Sequence, residues 1–240
     1  MTILEEIIST IAGEETVCEV RACVFWTAVV SRWCGLASTG RDEGWHEGSP
    51  VRDAGSLAGR RALDVAALSQ SESLREAAIG VAAINSLLEI DRDRCIDLNA
   101  SEIIVEGGRG KRVVIVGRFP FIGRVREVAR ELAVLERVEG PGTLPESKAE
   151  EVIPDADVVA ITGSALVNHS LEKLLGLCPA EALVIVLGPT TPLSTVLFDH
   201  GVDVIAGTRV MDTPEVLRFI SEGAAFKQVR GVELLTMRKE

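Results

Sequence analysis

The 240-residue chain has no tyrosine, only 4% aromatic residues and only three histidines. So few imidazoles leave little material for a His-rich metal centre, and none of the three stands in an H-E-x-x-H pattern. The five cysteines, Cys18, Cys23, Cys34, Cys95 and Cys178, include no C-x-x-C pair, and no G-x-S-x-G motif occurs. A zinc ribbon and a nucleophile elbow are thereby disfavoured, and reduced, mostly buried thiols are expected. Charge of one sign is also short. There are 25 basic against 36 acidic residues, a net charge of −11, which is the wrong balance for a protein whose main task is gripping nucleic acid phosphates. No long apolar run is present either. The longest uncharged stretch, Ala182 to Phe198, is broken by Gly188, Pro189 and Pro192 and falls short of the ~20 residues of a spanning helix. The first residues carry Glu5 and Glu6 where a secretory signal needs positive charge. A cytoplasmic protein with no membrane and no nucleic acid partner is the expectation.

What is present is ample material for a core. Apolar residues make up 47% of the chain, and a chain of this size can bury about 70% of its unfolded surface. Residues 1–110 hold ten Arg, no Lys and eighteen acids. The hydrophobic period changes near Glu106-Gly-Gly-Arg-Gly110, a turn-rich join. Two domains are expected, over 1–108 and 109–240.

In the first, Ile3, Leu4, Ile7, Ile8 and Ile11 recur at helical spacing, Val17 to Ser31 reads as a strand, and Trp33 to Thr39 can pair with it. A polar loop, Gly40 to Pro50, precedes helices over Ala62 to Ser69 and Glu72 to Ile90. This is an α+β order. In the second, apolar runs alternate with helices: Val113 to Val116, Ala133 to Leu135, Asp157 to Ile161, Leu183 to Leu187 and Asp203 to Ile205 read as strands. Continuous apolar strands separated by helices indicate a parallel sheet covered on both faces. In such a sheet ligands bind outside the carboxyl ends of the strands, so the loops there are the candidates for function.

The first of these, Gly117-Arg-Phe-Pro-Phe-Ile-Gly123, is no dinucleotide fingerprint, since Phe119 stands where a second glycine belongs. It reads either as a binding loop or as a turn capped by packed Phe119 and Phe121. Glu136 closes the next strand nineteen residues after Gly117, where a doubly wound domain can hold ribose hydroxyls. Thr162, Ser164 and Asn168 bring short polar groups beside a helix start, with Asn168 or Ser170 equally readable as its cap. His169, alone beside that cap, is better suited to a surface or packing role. Gly188-Pro-Thr-Thr-Pro-Leu-Ser194 clusters the hydroxyls of Thr190, Thr191 and Ser194 in a stiff loop resembling an oxyanion cradle without a Walker lysine. Arg209 and Asp212 stand in a fourth loop, where Asp212 or Thr213 can cap the next helix. The neighbouring pairs His46-Glu47 and Asp199-His200 lack a third ligand nearby, and Cys18 and Cys23 lie within the strand reading.

Taken in order, Ala78-Ile-Gly-Val-Ala-Ala-Ile-Asn85, Val113-Val-Ile-Val-Gly-Arg-Phe-Pro-Phe121, Val134-Leu-Glu136, Asp157-Val-Val-Ala-Ile-Thr-Gly163 with Asn168, Leu187-Gly-Pro-Thr-Thr-Pro192 and Val202-Asp-Val-Ile-Ala-Gly207 resemble the putative heavy-metal chelation family over nearly the whole chain. The resemblance implies an α/β protein. An N-terminal α+β, enolase N-terminal-like domain is followed by a Rossmann-like parallel-sheet domain, with a ligand site in the cleft between them. It implies that Asn85, Gly117, Arg118, Phe119, Pro120, Glu136, Thr162, Gly163, Asn168, Gly188, Pro189 and Thr190 line that cleft. Arg118 stands where relatives often carry His, which exchanges a nitrogen ligand for a permanent cation suited to carboxylate or phosphate. The function expected is binding of a metal ion or a small anion, with a divalent metal ion as the cofactor that oxygen donors would admit. The competing expectations are a nucleotide- or S-adenosylmethionine-dependent transferase or lyase, and a noncatalytic assembly protein. A homodimer is the commonest assembly for a soluble chain.

Overall fold

The computed structural model describes residues 1–40, 51–138 and 140–239. The His46-Glu47 pair and most of the Gly40 to Pro50 loop lie outside the described residues.

The chain opens on α1 (Ile3–Thr10), whose start is closed reciprocally: the Thr2 hydroxyl accepts from the Glu5 amide, and the Glu5 carboxylate accepts from the Thr2 amide. The single strand expected over Val17 to Ser31 is instead two. β1 (Glu19–Ala22) and β2 (Trp26–Val30) form a hairpin, extended by β3 (Cys34–Ser38) into an antiparallel meander, with Glu19 opposite Val30 and Trp26 opposite Ser38. One strand of fifteen residues would run about 50 Å, too long for a unit this small, so the chain reverses at Cys23 to Phe25.

Two helices follow, α2 (Ala62–Ala66) and α3 (Leu74–Leu87). Ala77, Ala78, Ala82 and Ala83 of α3 are fully buried, and these small side chains let the helix lie close against the meander. The buried Glu76, whose side chain is 3% exposed, ties α3 to the segment after residue 50. It accepts from the Arg52 amide at 2.6 Å, from Arg52 Nη2 at 3.0 Å and from Ser71 Oγ at 2.6 Å. Those donors, the guanidinium first, hold its carboxyl down to about 2.

The rest of the chain builds an eight-stranded sheet. Its strands are β4 (Cys95–Ile96), β5 (Arg112–Val116), β6 (Glu131–Glu136), β7 (Leu144–Pro145), β8 (Val158–Thr162), β9 (Leu183–Leu187), β10 (Val204–Val210) and β11 (Val232–Arg238). The order across the sheet is β4-β11-β10-β9-β8-β5-β6-β7. All pairings from β10 to β7 are parallel, while β11 is antiparallel to both of its neighbours. Val113 faces Val158 on one side and Leu132 on the other, so β5 lies between the strands that follow it, and the chain reverses its direction of travel there.

Alternation sends the two faces of each central strand into different cores. Val113, Ile115, Val158, Ala160 and Ile185 pack with α4 (Ala100–Gly107) and α5 (Ile122–Val128). Val114, Val116, Val159, Ile161 and Val184 pack into the core that includes α1 and α3. That second face also carries α6 (Ala149–Val152), α7 (Ser164–Val167), α8 (Leu171–Leu175) and α9 (Val196–Asp199). The last helix, α10 (Thr213–Ser221), crosses to the N-terminal meander, where Val216, Leu217 and Ile220 meet Ala28, Cys34 and Leu36. The meander is therefore covered by α3 on one face and α10 on the other, and the two halves of the chain are interlocked. β4 and most of α4 precede the Glu106 to Gly110 turn, yet β4 is an edge strand of the large sheet and α4 packs on it. Among the described residues, no helix is long and apolar enough to cross a membrane.

The thiols are free, but only Cys34 is buried, and burial pushes it up to about 12. Cys23, Cys95 and Cys178 are half-buried and Cys18 is exposed. The expectation of mostly buried thiols is corrected on that point: Cys18 and Cys23 flank the edge strand β1, Cys95 lies in the edge strand β4, and Cys178 lies just past the C-terminal end of α8.

Candidate functional site

The loops at the carboxyl ends of β5 and β8 diverge around a cavity of about 560 Å³. In a doubly wound sheet this is the crevice created where strand order reverses. Gly117, Arg118, Phe119 and Pro120 form one wall, Glu136 at the end of β6 a second, and Thr162 and Asn168 a third. Gly188, Pro189 and Thr190 complete the set from the end of β9. The crevice exists because Gly117 is a glycine. Its φ is +107°, and a Cβ there would lie 2.9 Å from Thr162 Cβ, so any side chain would both strain the turn and collide with β8.

Two residues of the expected set lie outside the cavity wall. Asn85, on α3, donates from Nδ2 to the carbonyls of Leu36 at 2.8 Å and Thr190 at 3.0 Å. It joins β3 to the β9 loop and faces a separate hollow of about 240 Å³ beside Trp33, Cys34, Thr208 and Arg209. Gly163 donates its amide to Leu187 and is packed against Thr191, whose Oγ1 would sit 2.3 Å from a Cβ. N85A strands two buried carbonyls and is expected to cost about 2 kcal/mol, read as a shift in urea midpoint at unchanged slope.

The hydroxyl cluster of the β9 loop is not an open cradle. Thr190, Thr191 and Ser194 are all buried, and Thr190 Oγ1 is taken by the Ser38 amide at 2.9 Å. The loop is drawn into the seam against β3, and this orients its hydroxyls toward protein rather than solvent. The helices expected beside Thr162 and after Pro192 are also short, as α7 and α9 are single turns. Asn168 does serve its turn, with Oδ1 accepting from the Ser170 amide at 3.1 Å and the Ser170 hydroxyl at 2.7 Å. Ser164 Oγ meets Ser38 Oγ at 2.8 Å, which adds another link between the halves.

The remaining candidates are structural. His169 Nε2 meets the Ser71 carbonyl at 2.9 Å, and His200 Nε2 meets Glu6 Oε2 at 2.8 Å. Arg209 lies within β10 and stands over the Trp33 ring at 5.5 Å. Asp212 accepts from the Glu215 amide and caps α10.

Sequence reasoning missed part of the wall: Trp26, Arg137, Glu146 and the run Ala225 to Lys227 also line the cavity. None sits in a local motif. They come from a hairpin, a strand exit and the turn after α10, which only packing brings together. Trp26 stacks obliquely on Phe226 with ring centres 5.3 Å apart, and its buried Nε1 has no hydrogen-bond partner among the described residues.

Electrostatically the cavity differs from the whole chain. Arg118, Arg137 and Lys227 stand around it against Glu136 and Glu146. The Glu136 side chain is 22% exposed, and Arg118 Nε reaches it only at 4.0 Å. Burial pushes the Glu136 carboxyl above its ordinary range; Arg118 offsets part of that push and Glu146 adds to it. Arg118 itself is 63% exposed and is not locked by this long contact. Among the described residues, no group of three or more His, Cys, Asp or Glu is placed to hold a metal ion.

A mainly parallel sheet, covered on both faces and opening a crevice where strand order reverses, defines a doubly wound α/β protein with an N-terminal α+β unit packed against it. The chain belongs to the DUF364 family, described as "Putative heavy-metal chelation", which it matches over residues 99–237. Residues 4–88 match the DUF4213 family, which carries the same description. The chain is similar to a DUF364 protein of unknown function from Desulfitobacterium hafniense DCB-2, at 26% identity and TM-score 0.87 over 99% of this chain and 98% of that one. A second DUF364 protein of unknown function, from Pyrococcus horikoshii, shares the fold at 21% identity and TM-score 0.85 over the same shares. The uncharacterized protein MJ0500 of Methanocaldococcus jannaschii is 26% identical over 170 residues, covering 67% of this chain and 66% of its own length, just under two thirds.

Proposed function

We propose that this protein binds a small organic anion, together with a divalent metal ion that the anion carries, in the crevice between β5 and β8. The observation that carries the reading is the concentration of Arg118, Arg137 and Lys227 around one cavity in a chain of net charge −11. Arg118 is suited to a carboxylate or phosphate, which its planar fork can grip with two hydrogen bonds. For the metal, Glu136 and Glu146 supply two carboxylates. A hard divalent cation takes about six or more oxygens, so the anion and water would furnish the remainder.

Calorimetry with citrate, pyrophosphate, nickel ion and nickel–citrate tests this. Nickel–citrate is expected to bind more tightly than either component, and R118A to weaken citrate and nickel–citrate about tenfold, the loss of one charge-assisted contact. No heat from citrate, pyrophosphate or nickel–citrate overturns the reading.

The pH dependence separates the two components. An anion beside Glu136 favours its protonated form, so citrate affinity should rise as pH falls through the elevated Glu136 pKa. A metal ion favours the carboxylate, so nickel affinity should fall over the same window. E136Q is expected to flatten the nickel profile and to leave the citrate profile with the titration of citrate alone.

One observation favours a second reading. Glu136 ends the strand beside β5 and lines the crevice, where it could accept from ribose hydroxyls. A nucleotide- or S-adenosylmethionine-dependent transferase would then show thermal stabilisation by the adenosine cofactor, worth ~2.7 kcal/mol at 100 times its dissociation constant, and E136Q would abolish it.

A further inference from the structure

A second cavity, of about 620 Å³, adjoins the first. Phe119, Pro120, Gly188, Pro189 and Phe226 belong to the walls of both. The divider is thin at Gly188: φ is +119° there, and a Cβ would meet no atom within 4 Å, so the backbone borders open space instead of packed side chains. The two hollows are both lined mainly by apolar groups and differ in charge. Arg118, Arg137, Lys227, Glu136 and Glu146 stand around the first, whereas the second has Arg124 and Asp97 beside Leu98, Leu187, Ala206, Leu234 and Leu235. Leu98 is 44% exposed and Leu234 58%, so apolar surface there is left open to solvent.

Aromatic rings run from one hollow to the other. Phe119, in both walls, stacks on Phe121 of the second at 5.1 Å and 20°. Phe226, also in both, meets Trp26 of the first. Each hollow alone is the size of an ordinary small-molecule pocket, and a simple di- or tricarboxylate would leave the second one empty.

We propose that the two cavities hold one ligand: its anionic head lies in the crevice among Arg118, Arg137 and Lys227, and a flat, apolar, unsaturated body extends past Gly188 into the second cavity. This rests on the anion reading above and adds the class of molecule, an amphipathic aromatic anion. Aromatic walls favour a planar body because stacked and edge-on ring contacts add to simple burial.

The test uses the full chain and two probes. Pyrophosphate represents a head without a body, and 8-anilinonaphthalene-1-sulfonate is a flat apolar body bearing an anion. The sulfonate probe is expected to bind with enhanced fluorescence and to be displaced by pyrophosphate. L98D and L234D alter exposed side chains, so folding is spared. Each should weaken the sulfonate probe about tenfold and leave pyrophosphate affinity within about twofold, while R118A weakens both. Sulfonate binding that L98D and L234D leave unchanged but R118A weakens overturns the shared-ligand proposal and leaves the anion site standing, as does failure of pyrophosphate to displace the probe. Insensitivity of both probes to R118A removes the anion site and this proposal together.

Discussion

Replacing Arg52 with alanine is expected to destabilise the fold by about 3 kcal/mol at neutral pH, and E76Q by about 2 kcal/mol. The asymmetry follows from exposure. Glu76 is buried, whereas Arg52 is largely exposed. R52A therefore strands a carboxylate inside the protein with, of these donors, the Ser71 hydroxyl and a backbone amide remaining among the described residues, while E76Q releases a guanidinium that water can solvate. The sign of the pH effect is fixed by the direction of the shift. The Glu76 carboxyl is lowered from an ordinary 4.5 to about 2, so its contribution is fully present above the unfolded value and is lost as pH falls toward 2. Across that window the wild type should lose about 3 kcal/mol from this group, and E76Q should lack that slope. Urea midpoints at pH 7, 5 and 3 for the three proteins measure it, and equal acid sensitivity of wild type and E76Q would contradict the account.

The second large effect is expected at Gly117. G117A combines left-handed backbone strain of about 1–2 kcal/mol with a collision against Thr162 of about 1–3 kcal/mol. Because Gly117 belongs to the crevice wall, citrate binding should fall with stability. A double variant, G117A with T162G, separates the parts. It relieves the collision but leaves the strain, so it should recover only the second contribution in a double-mutant cycle. Full recovery would mean that the positive φ costs nothing there. No recovery would place the whole effect in the backbone.

The central parallel strands β5, β8 and β9 were readable because each is buried on both faces. Val113 to Val116 and Leu183 to Leu187 are unbroken apolar runs for that reason. Val17 to Ser31 reads as one strand because alternation through Glu19 and Arg21 runs on into apolar residues, and the turn at Cys23 to Phe25 is built from exposed apolar Val24 and Phe25 that carry no turn signal. β4 and β7, two residues each, are too short to leave a period. β11 carries Glu233 and Thr236 among its apolar residues, and nothing local marks it as an antiparallel partner of β10. The β9 loop shows the limit for hydroxyls: Thr190 reads like a ligand group, and only its contact with the Ser38 amide shows where that oxygen is used.

Local chemistry was thus enough to establish an α/β chain whose candidate loops follow apolar strands, because strand burial and glycine turns write themselves into neighbouring residues. Tertiary packing decided which loops meet. Trp26 and Lys227 join Gly117 and Thr162 because α10 crosses onto the meander and the β9 loop is pinned to β3, and Arg137 and Glu146 join them because β6 and β7 pair in turn beside β5. Contacts between residues so distant in sequence depend on how elements stack, and no periodicity within a single element encodes that.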